Sequence, residues 1–324
     1  MQAVLVDAFR DDSKIHAGEA ARPIPKAGEV LIQVESSVIG HFDFVILAGA
    51  YGGYGLPFVP GAEGAGTVVE CGEGTEALLG VRVQTMGVGL WAQYAVAKAE
   101  QVVPLLDEIS FDQGAAMWGN PVAVLMFREY VKKGGHRAVV QNAANSALGK
   151  MFIRLCQVEG IPLINIVRSA ASAETVLSEG GENVLNSSDA NFLTDYKAVC
   201  TRLNATIAFD AVAGDMTGTV LSGLCAGGVV YVFGALSHQP SNSLQASDII
   251  FQSKRVEGLG TVVWLGKKAN EEKQQLYREI QLSLSTLFRT EFVGHFPLAQ
   301  VQEALASYKA NLSAGKVLLH PNRH

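Results

Sequence analysis

Three small residues at fixed spacing mark a turn that could bind phosphate. Ala143, Ser146 and Gly149 form an A-x-x-S-x-x-G pattern at positions where a dinucleotide-binding fold more often has glycines. Small side chains let backbone N–H groups at a helix start approach a pyrophosphate, and the helix dipole favours that charge. The spacing alone also fits a buried helix start. If a dinucleotide binds, we expect further contacts from Asn145, Ala147 and Leu148.

The residues around this turn have the pattern of a strand, a helix and a second strand. The apolar run 138–140 precedes the turn, and helical spacing follows it, with one apolar face formed by Leu148, Met151, Phe152, Leu155 and Cys156. Gly160 ends this helix, and residues 163–167 form a second apolar strand. The turn therefore has the context that a dinucleotide-binding βαβ unit requires.

The end of the second strand indicates which dinucleotide is bound. An NAD-binding fold usually has Asp or Glu there to hold the ribose 2′-hydroxyl, but this chain has Arg168 and Ser169, and the next acid is Glu174. A guanidinium suits a 2′-phosphate, and the serine adds a donor. We therefore predict NADPH as the cofactor. The alternative is that Arg168 is only a solvated residue at a strand end.

The segment VVQNAANSALGKMFIRLCQVEGIPLINIVRS resembles the nucleotide-binding segment of zinc-independent medium-chain dehydrogenase/reductases. Within that superfamily it is most similar to mitochondrial-type 2-enoyl thioester reductases, with quinone oxidoreductases next. The stretches PKAGEVLIQVESS and PGAEGAGTVVECGEG resemble the opening strands of the family's catalytic domain. The resemblance implies a GroES-like catalytic domain, a Rossmann-type domain and a homodimer.

Two zinc ligands of the related alcohol dehydrogenases have no counterpart in this chain. Ile39 lies in the region where those enzymes have a cysteine, and Ala62 replaces the histidine of a Gly-His-Glu triplet. We therefore predict no metal ligands, and we interpret Glu63 as structural. Without zinc, hydride transfer needs an acceptor that conjugation already activates, such as an enone, an enoyl thioester or a quinone.

Tyr51 is the candidate proton donor. It lies in LAGAYG, which resembles a family loop whose tyrosine is taken as catalytic. A phenol with a pKa of about 10 stays protonated at neutral pH and can donate to a developing enolate. On composition alone, Tyr54 in the same glycine-rich loop is an equal candidate, and Tyr51 is also compatible with a structural role in the turn.

Other site residues follow from the resemblance alone. Trp264 matches a tryptophan at the acyl pocket, and the alternative is a core or dimer-interface aromatic. Asn120 belongs to an Asn-Pro pair on the substrate side, whereas the threonine expected two residues later is missing. Gly40-His41-Phe42-Asp43 retains the family's aspartate but loses its Asn-Pro, and His41 is a second possible donor or a structural histidine. We predict substrate contacts from Asp43, Trp264, Asn120 and His41. These departures leave the substrate class open.

Two further segments resemble cofactor-binding parts of the family. Phe233, Gly234, Ala235 and Leu236 match a segment beside the nicotinamide, with Phe233 in the place of a tyrosine. Lys316 matches the lysine of a C-terminal Gly-Lys near the cofactor. The resemblance implies that all five residues bind NADPH.

Composition excludes several other classes of protein. With 48% hydrophobic and 17% charged residues and a net charge of −6, the 324-residue chain has a globular balance and no basic surface for nucleic acid. The four cysteines are scattered, which argues against disulfides and a zinc lobe. We found neither a signal peptide pattern nor a membrane segment, and we expect a cytoplasmic protein.

Short β-type runs dominate the first third of the chain, and strands alternate with helices after it. We predict an α/β protein with a Rossmann-type doubly wound parallel sheet and a mainly β, GroES-like domain. The expected parts are a catalytic domain at 1–115, an NADPH-binding domain at 116–262 and a return to the catalytic domain at 263–324. The predicted function is zinc-free, NADPH-dependent reduction of an activated C=C bond. The alternatives are a quinone reductase and an NADPH-binding protein without turnover.

Overall fold

The computed structural model describes residues 1–50, 53–310 and 312–323. Its strands are β1 (Gln2–Val6), β2 (Ile15–Glu19), β3 (Glu29–Ile39), β4 (Glu63–Cys71), β5 (Arg82–Met86), β6 (Tyr94–Lys98), β7 (Val102–Pro104), β8 (Val139–Gln141), β9 (Leu163–Val167), β10 (Val184–Asn186), β11 (Ile207–Asp210), β12 (Val229–Val232), β13 (Arg255–Gly258), β14 (Phe292–Phe296) and β15 (Lys316–Leu319). Its α-helices are α1 (His41–Leu47), α2 (Phe111–Ala115), α3 (Gly119–Lys133), α4 (Ala147–Glu159), α5 (Ala170–Ser178), α6 (Phe192–Leu203), α7 (Asp215–Gly223), α8 (Ala246–Ile250), α9 (Thr261–Gly266), α10 (Asn270–Leu282) and α11 (Val301–Ala310).

The chain forms two compact units. The first comprises Met1–Gly119 and Tyr277–His324, and the second comprises Asn120–Leu276. Among the described residues, no helix is both long and apolar enough to cross a membrane.

The second unit is built on a parallel sheet. Within the described part of the chain its strand order is β10-β9-β8-β11-β12-β13, which is the order 3-2-1-4-5-6 of a doubly wound dinucleotide-binding fold. Every residue of β8, β9 and β11 is buried, as expected for strands covered by helices on both faces. The predicted Rossmann-type sheet is therefore confirmed.

Aromatic and aliphatic side chains cover the two faces of this sheet. On one face Phe127 of α3 stacks on Phe209 of β11, with ring centroids 4.0 Å apart, and Phe152 of α4 packs edge-on against both rings. On the other face α6 and α7 bury Tyr196 and Leu221 in a cluster with residues of β8, β9, β11 and β12. This packing fixes the strands whose ends carry the candidate cofactor residues.

The first unit is mainly β, as the short β-type runs of the sequence predicted. As far as the described residues show, its larger sheet has the order β14-β15-β3-β4-β5-β7, with β6 also paired to β3. The end of β3 pairs antiparallel with the starts of both β4 and β15, because Ser37 lies opposite Gly64 and Ile39 lies opposite Val317. Residues that begin β4 and β15 are thereby brought next to the start of α1, which follows β3 directly.

Candidate active site

The A-x-x-S-x-x-G turn forms a tight entry to α4. Ser146 is the N-cap residue, and its hydroxyl accepts a hydrogen bond from the backbone N–H of Gly149 over 3.1 Å. A Cβ atom at Gly149 would lie 2.4 Å from the carbonyl oxygen of Ala144, so only glycine allows this approach of helix to turn. Ala143 has φ +49°, in the left-handed region. The first N–H groups of α4, at Ala147 and Leu148, have no partner within the helix and are suited to an anion.

A buried hydrogen-bond network joins the ends of β8 and β11. Asn142 donates from Nδ2 to Oδ1 of Asp210 over 2.6 Å, and its own Oδ1 accepts from the backbone N–H of Ala211 over 2.8 Å. Asp210 also accepts from the hydroxyl of Thr217. Sequence reasoning missed this pair, although a polar residue directly after a buried strand was a usable signal. The network holds the turn before α4 against the neighbouring strand.

Hydroxyl groups cluster at the end of β9. Ser169 is the N-cap residue of α5 and accepts from the backbone N–H of Ser172 over 3.2 Å. The hydroxyl of Ser172 also contacts that of Ser169 and accepts from Nδ2 of Asn145, each over 3.0 Å. Asn145 and Ser169, both predicted to contact the cofactor, are thus linked through Ser172, which the sequence reasoning did not single out.

Arg168 is exposed beside this serine group. Its backbone carbonyl accepts from the hydroxyl of Ser188 over 2.9 Å. Over the residues that the structure describes, its guanidinium forms no side-chain hydrogen bond or ion pair. A cation beside several hydroxyl donors is suited to a phosphate monoester.

The segment 233–236 continues from the end of β12 at the same edge of the sheet. The backbone N–H of Phe233 donates to the carbonyl of Asp210, and that of Leu236 donates to the carbonyl of Ala211. A Cβ atom at Gly234 would lie 2.8 Å from that second carbonyl oxygen. Ala235 is exposed at the same edge. Because the carboxyl ends of parallel strands share one edge, the predicted cofactor residues of the second unit are brought together there.

The two other predicted residues in the second unit lie on helices. Trp264 of α9 is buried and donates from its indole N–H to Oε1 of Glu129 over 3.2 Å, with Nζ of Lys268 4.4 Å from its ring centroid. Burial would raise the pKa of Glu129, but hydrogen bonds from Lys268, Lys133 and Trp264 outweigh it and bring the pKa to about 2. Asn120 is half-buried in the first turn of α3. The indole N–H of Trp264 is therefore already bonded to another residue of the second unit.

In the first unit, Asp43 of α1 is almost fully buried. Its carboxylate accepts from the backbone N–H of Gly40 over 2.8 Å and from that of Ala62 over 2.9 Å. Burial raises its pKa to about 7, and the charge of Glu63 adds to this rise, while the two N–H groups and Lys316 oppose it. Asp43 therefore fixes the start of α1.

Glu63, Lys316 and Tyr308 surround the same helix start. Glu63 accepts from the backbone N–H of Gly119 over 3.1 Å, and burial raises its pKa, against the charge of Lys316. A Cβ atom at Gly40 would lie 2.9 Å from Nζ of Lys316, so the amine lies against the chain just before α1. Burial also raises the pKa of Tyr308, whose hydroxyl accepts from the backbone N–H of His41. Asp43 and Tyr308 are buried, and Glu63 and Lys316 are half-buried. We call these four residues the buried acid–lysine group.

The remaining candidates lie close to this group in sequence. His41 is the first residue of α1 and is half-buried. Tyr54 stacks on Phe58, with ring centroids 5.2 Å apart. Tyr51, the predicted proton donor, lies outside the described residues.

The second unit is a doubly wound sheet with one strand edge suited to phosphate, and the first unit is mainly β and holds acids and a lysine at one helix start. These features are typical of two-domain nicotinamide-dependent dehydrogenases and reductases. Residues 26–107 match the family described as alcohol dehydrogenase GroES-like domain, and residues 147–281 match the family described as zinc-binding dehydrogenase. The chain belongs to the medium-chain dehydrogenase/reductase superfamily and is an oxidoreductase that binds a nicotinamide cofactor.

Enoyl reductases and a quinone oxidoreductase are among its relatives. A mitochondrial enoyl-[acyl-carrier-protein] reductase of Caenorhabditis elegans is 25% identical over 285 residues, covering 85% of this chain and 82% of the relative. The human quinone oxidoreductase is 26% identical over 313 residues, covering 94% and 92%. The resemblance to enoyl reductases and quinone oxidoreductases is therefore confirmed.

Solved structures agree with the fold. A Mesorhizobium loti protein provisionally assigned as an NADPH:quinone reductase has a TM-score of 0.89 at 28% identity, covering 99% of this chain and 98% of its own. The Escherichia coli quinone oxidoreductase, solved with NADPH, has a TM-score of 0.86 at 21% identity, covering 99% and 100%. At the lower identity the likeness shows the fold alone.

One family description implies a zinc ion, and the residues at the expected position do not fit one. Ile39 and Ala62 are fully buried in an apolar cluster and offer no donor atom. Both carboxylate oxygens of Asp43 are already bonded to backbone N–H groups. We therefore derive no step through a metal at this position.

Proposed function

We propose that the protein is an NADPH-dependent reductase that transfers hydride to the β-carbon of an activated C=C bond, in an enoyl thioester or an enone. The observation that carries the cofactor choice is the end of β9, where Arg168 and Ser169 follow the strand, Ser169 contacts Ser172, and the next acid in the sequence is Glu174. The names of the enoyl reductase relatives support the substrate class.

In this proposal the chain's own groups bind and orient the cofactor. The N–H groups at the start of α4 hold the pyrophosphate, and Arg168 with the two serines holds the 2′-phosphate. The segment 233–236 and Lys316 are proposed to contact the nicotinamide half. Bound NADPH supplies the hydride. The acceptor brings its own activation, because Ile39 and Ala62 provide no metal ligand.

Protonation of the α-carbon completes the reduction. We propose Tyr51 as the donor, or as the group that hydrogen-bonds the substrate carbonyl, with His41 as the second candidate. Asp43, Asn120 and Trp264 are proposed to contact substrate. The buried acid–lysine group supports this part of the chain, because Asp43 fixes Gly40 and the start of α1, which carries His41.

A quinone is the second candidate acceptor. The human quinone oxidoreductase matches more of this chain, 94%, than the enoyl reductase of Caenorhabditis elegans does, 85%. A quinone accepts hydride at a conjugated carbonyl system and needs no side-chain acid to become electrophilic. The third candidate is a protein that binds NADPH without turnover.

One panel of assays separates these functions. NADPH oxidation is measured with a 2-enoyl-CoA, a simple enone and an ortho-quinone, for the native protein and Tyr51→Phe. Enoyl activity that falls at least tenfold in the variant supports the first proposal. Quinone activity that does not change in the variant favours the second. Tight NADPH binding with no acceptor reduced supports the third.

We also propose that the protein is a homodimer. Strand β13 lies at the edge of the parallel sheet, and in the described part of the chain it pairs only with β12. The large apolar residues Ile250, Phe251, Val262 and Val263 flank it in sequence and are 58–82% exposed. An open strand edge next to exposed apolar side chains is suited to a second copy of the same chain.

A cytoplasmic location stays a prediction, since several relatives are mitochondrial.

A further inference from the structure

Two histidines and an aspartate meet in the first unit. One of the histidines, His320, follows the end of β15, whereas Lys316 of the buried acid–lysine group lies at the start of that strand. Asp112 lies in the first turn of α2, His295 lies in β14, and His320 follows β15 directly. One ligand atom from each lies within 4.8 Å of the others. Over the residues that the structure describes, this is the only group of three or more such side chains so arranged. We call it the Asp112–His295–His320 cluster.

The pairing of two strands brings the two histidines together. Strands β14 and β15 are parallel neighbours, and the backbone N–H of His320 donates to the carbonyl of Phe296 over 2.8 Å. His295 and His320 therefore stand side by side at the edge of the sheet. Their ring planes are nearly parallel, with an interplanar angle of 7° and centroids 5.2 Å apart. Asp112 approaches both rings, since its Oδ2 lies 3.8 Å from Nδ1 of His295 and its Oδ1 lies 3.8 Å from Nδ1 of His320.

The hydrogen bonds of His320 fix which of its nitrogens is a ligand. Its Nδ1 lies 3.1 Å from the carbonyl oxygen of Glu35, and a carbonyl can only accept, so Nδ1 carries the hydrogen. Its Nε2 therefore carries the lone pair, which accepts a hydrogen bond from Nδ1 of His295, 2.9 Å away. A ring N–H donated to a backbone carbonyl is the arrangement that orients most metal-binding histidines.

We propose that the Asp112–His295–His320 cluster binds one divalent transition-metal ion, of which zinc fits best. The ligands are a carboxylate oxygen of Asp112, Nδ1 of His295 and Nε2 of His320, and water completes the shell. With metal–nitrogen distances of about 2.0–2.1 Å, the ion cannot lie on the 2.9 Å line between the two nitrogens. Because His320 is fixed, the ion lies along the lone pair of its Nε2, and Nδ1 of His295 moves off that line as the more exposed side chain of His295 turns.

The proton that now joins the two rings must move when the ion binds. Nδ1 of His295 donates it to Nε2 of His320, and on binding it transfers through solvent to the outward Nε2 of His295, so that the ring stays neutral. The side chain of His295 is 43% exposed and can turn, while that of His320 is 3% exposed and stays fixed. Arg323 contributes opposing positive charge near His320. The bound ion links α2 to the strands of the chain's C-terminal end.

Metal binding to the metal-free protein tests this proposal. The protein is treated with a chelator and titrated with Co²⁺, whose visible absorption reports coordination, and separately with Zn²⁺ by calorimetry. We expect one equivalent to bind, with a rise in melting temperature under Zn²⁺. His295→Ala and Asp112→Asn should each weaken binding at least tenfold, in the range that loss of a metal-site group produces. His295 is half-exposed, so its variant is expected to fold.

His16→Ala is the matched control. His16 also pairs with an aspartate, at 3.0 Å from Asp7, but it is an exposed residue of β2 outside the cluster. Its loss should leave Co²⁺ and Zn²⁺ binding unchanged. The proposal is overturned if the native protein binds neither ion at 1:1 stoichiometry. It is also overturned if His295→Ala and Asp112→Asn, shown to be folded by circular dichroism, bind as tightly as the native protein.

Discussion

Replacing Arg168 with alanine should reduce the preference for NADPH over NADH. Arg168 is exposed and directly precedes Ser169, at the end of β9, where an NAD-binding protein has a carboxylate. A hydrogen bond to a charged group contributes about 1.5–3 kcal/mol. Because Arg168 is exposed, solvent screening places the effect near the lower end, about 1.5–2 kcal/mol, or roughly 10- to 30-fold.

The assay is the ratio of kcat/KM for NADPH to kcat/KM for NADH, measured with one acceptor at fixed ionic strength. The ratio should fall in Arg168→Ala mainly because NADPH is used less well, and the loss should shrink at high salt because the pair is screened. Arg202→Ala is the matched control, since Arg202 is an exposed arginine of α6 that bonds to Asn183 within the second unit. If no acceptor is turned over, the dissociation constants of the two cofactors replace kcat/KM.

Two results would refute the reasoning. One is an unchanged ratio in Arg168→Ala, which would mean that the guanidinium does not contact the 2′-phosphate. The other is an equal fall in Arg202→Ala, which would mean that only the overall charge of the second unit matters. Arg168→Glu should move the ratio further, by roughly 2–3 kcal/mol, because repulsion replaces attraction.

Three further predictions follow from the geometry. Burial raises the pKa of Asp43 from 3.8 to about 7, so the carboxyl binds its proton more tightly in the folded chain than in the unfolded chain. The protonated carboxyl therefore stabilises the folded chain fully below about pH 4, and this stabilisation is lost as the pH rises through 7. The unfolding free energy of the native protein relative to Asp43→Asn, measured with urea, should therefore fall by roughly 4 kcal/mol between about pH 4 and pH 8, and a flat difference would contradict this. Gly149→Ala should weaken NADPH binding at least tenfold by forcing Cβ against a backbone carbonyl, whereas Gly266→Ala, which has open space, should not, and equal binding in both would argue against the turn. In light scattering, Val263→Asp should dissociate the dimer while Ile24→Asp, at an exposed apolar site of the first unit, leaves it intact; a native monomer would contradict the edge-strand interface.

The strands and helix around the predicted cofactor turn of the second unit could be predicted from the sequence because their signals are local. The apolar run 163–167, the helical spacing after the turn and the stop at Gly160 each reflect backbone preferences over a few residues. The structure forms β9 at Leu163–Val167 and ends α4 at Glu159, as those signals predict. The Asn142–Asp210 network was not readable, because its members are 68 residues apart and meet only when the sheet forms.

The first unit was harder to read for two physical reasons. Strand β3 continues to Ile39, although the apolar pattern ends near Val34, because Ser36 and Ser37 are buried and Ser37 donates its hydroxyl to the carbonyl of Glu63. Helix α1 has only seven residues, too few for a helical period to show. Its start depends on Asp43, whose partners lie in other segments.

The sequence also did not predict that the members of the buried acid–lysine group meet. Asp43, Glu63 and Lys316 were read separately, two of them from the resemblance and one as structural. Their meeting depends on the register of β3 with β4 and β15, which no local pattern encodes. Tyr308 was not singled out, since a tyrosine within an amphipathic helix has no feature that distinguishes it from a core residue.

Isotope transfer is the most direct measurement of the proposed reaction. NADPH deuterated at both positions of nicotinamide C4 is incubated with the native protein and a 2-enoyl thioester or an enone, and the product is examined by mass spectrometry and NMR. We expect one deuterium per reduced molecule, located on the β-carbon, with solvent hydrogen on the α-carbon. Product without deuterium, or no reduction of either acceptor by a protein that binds NADPH, would contradict hydride transfer to an activated alkene.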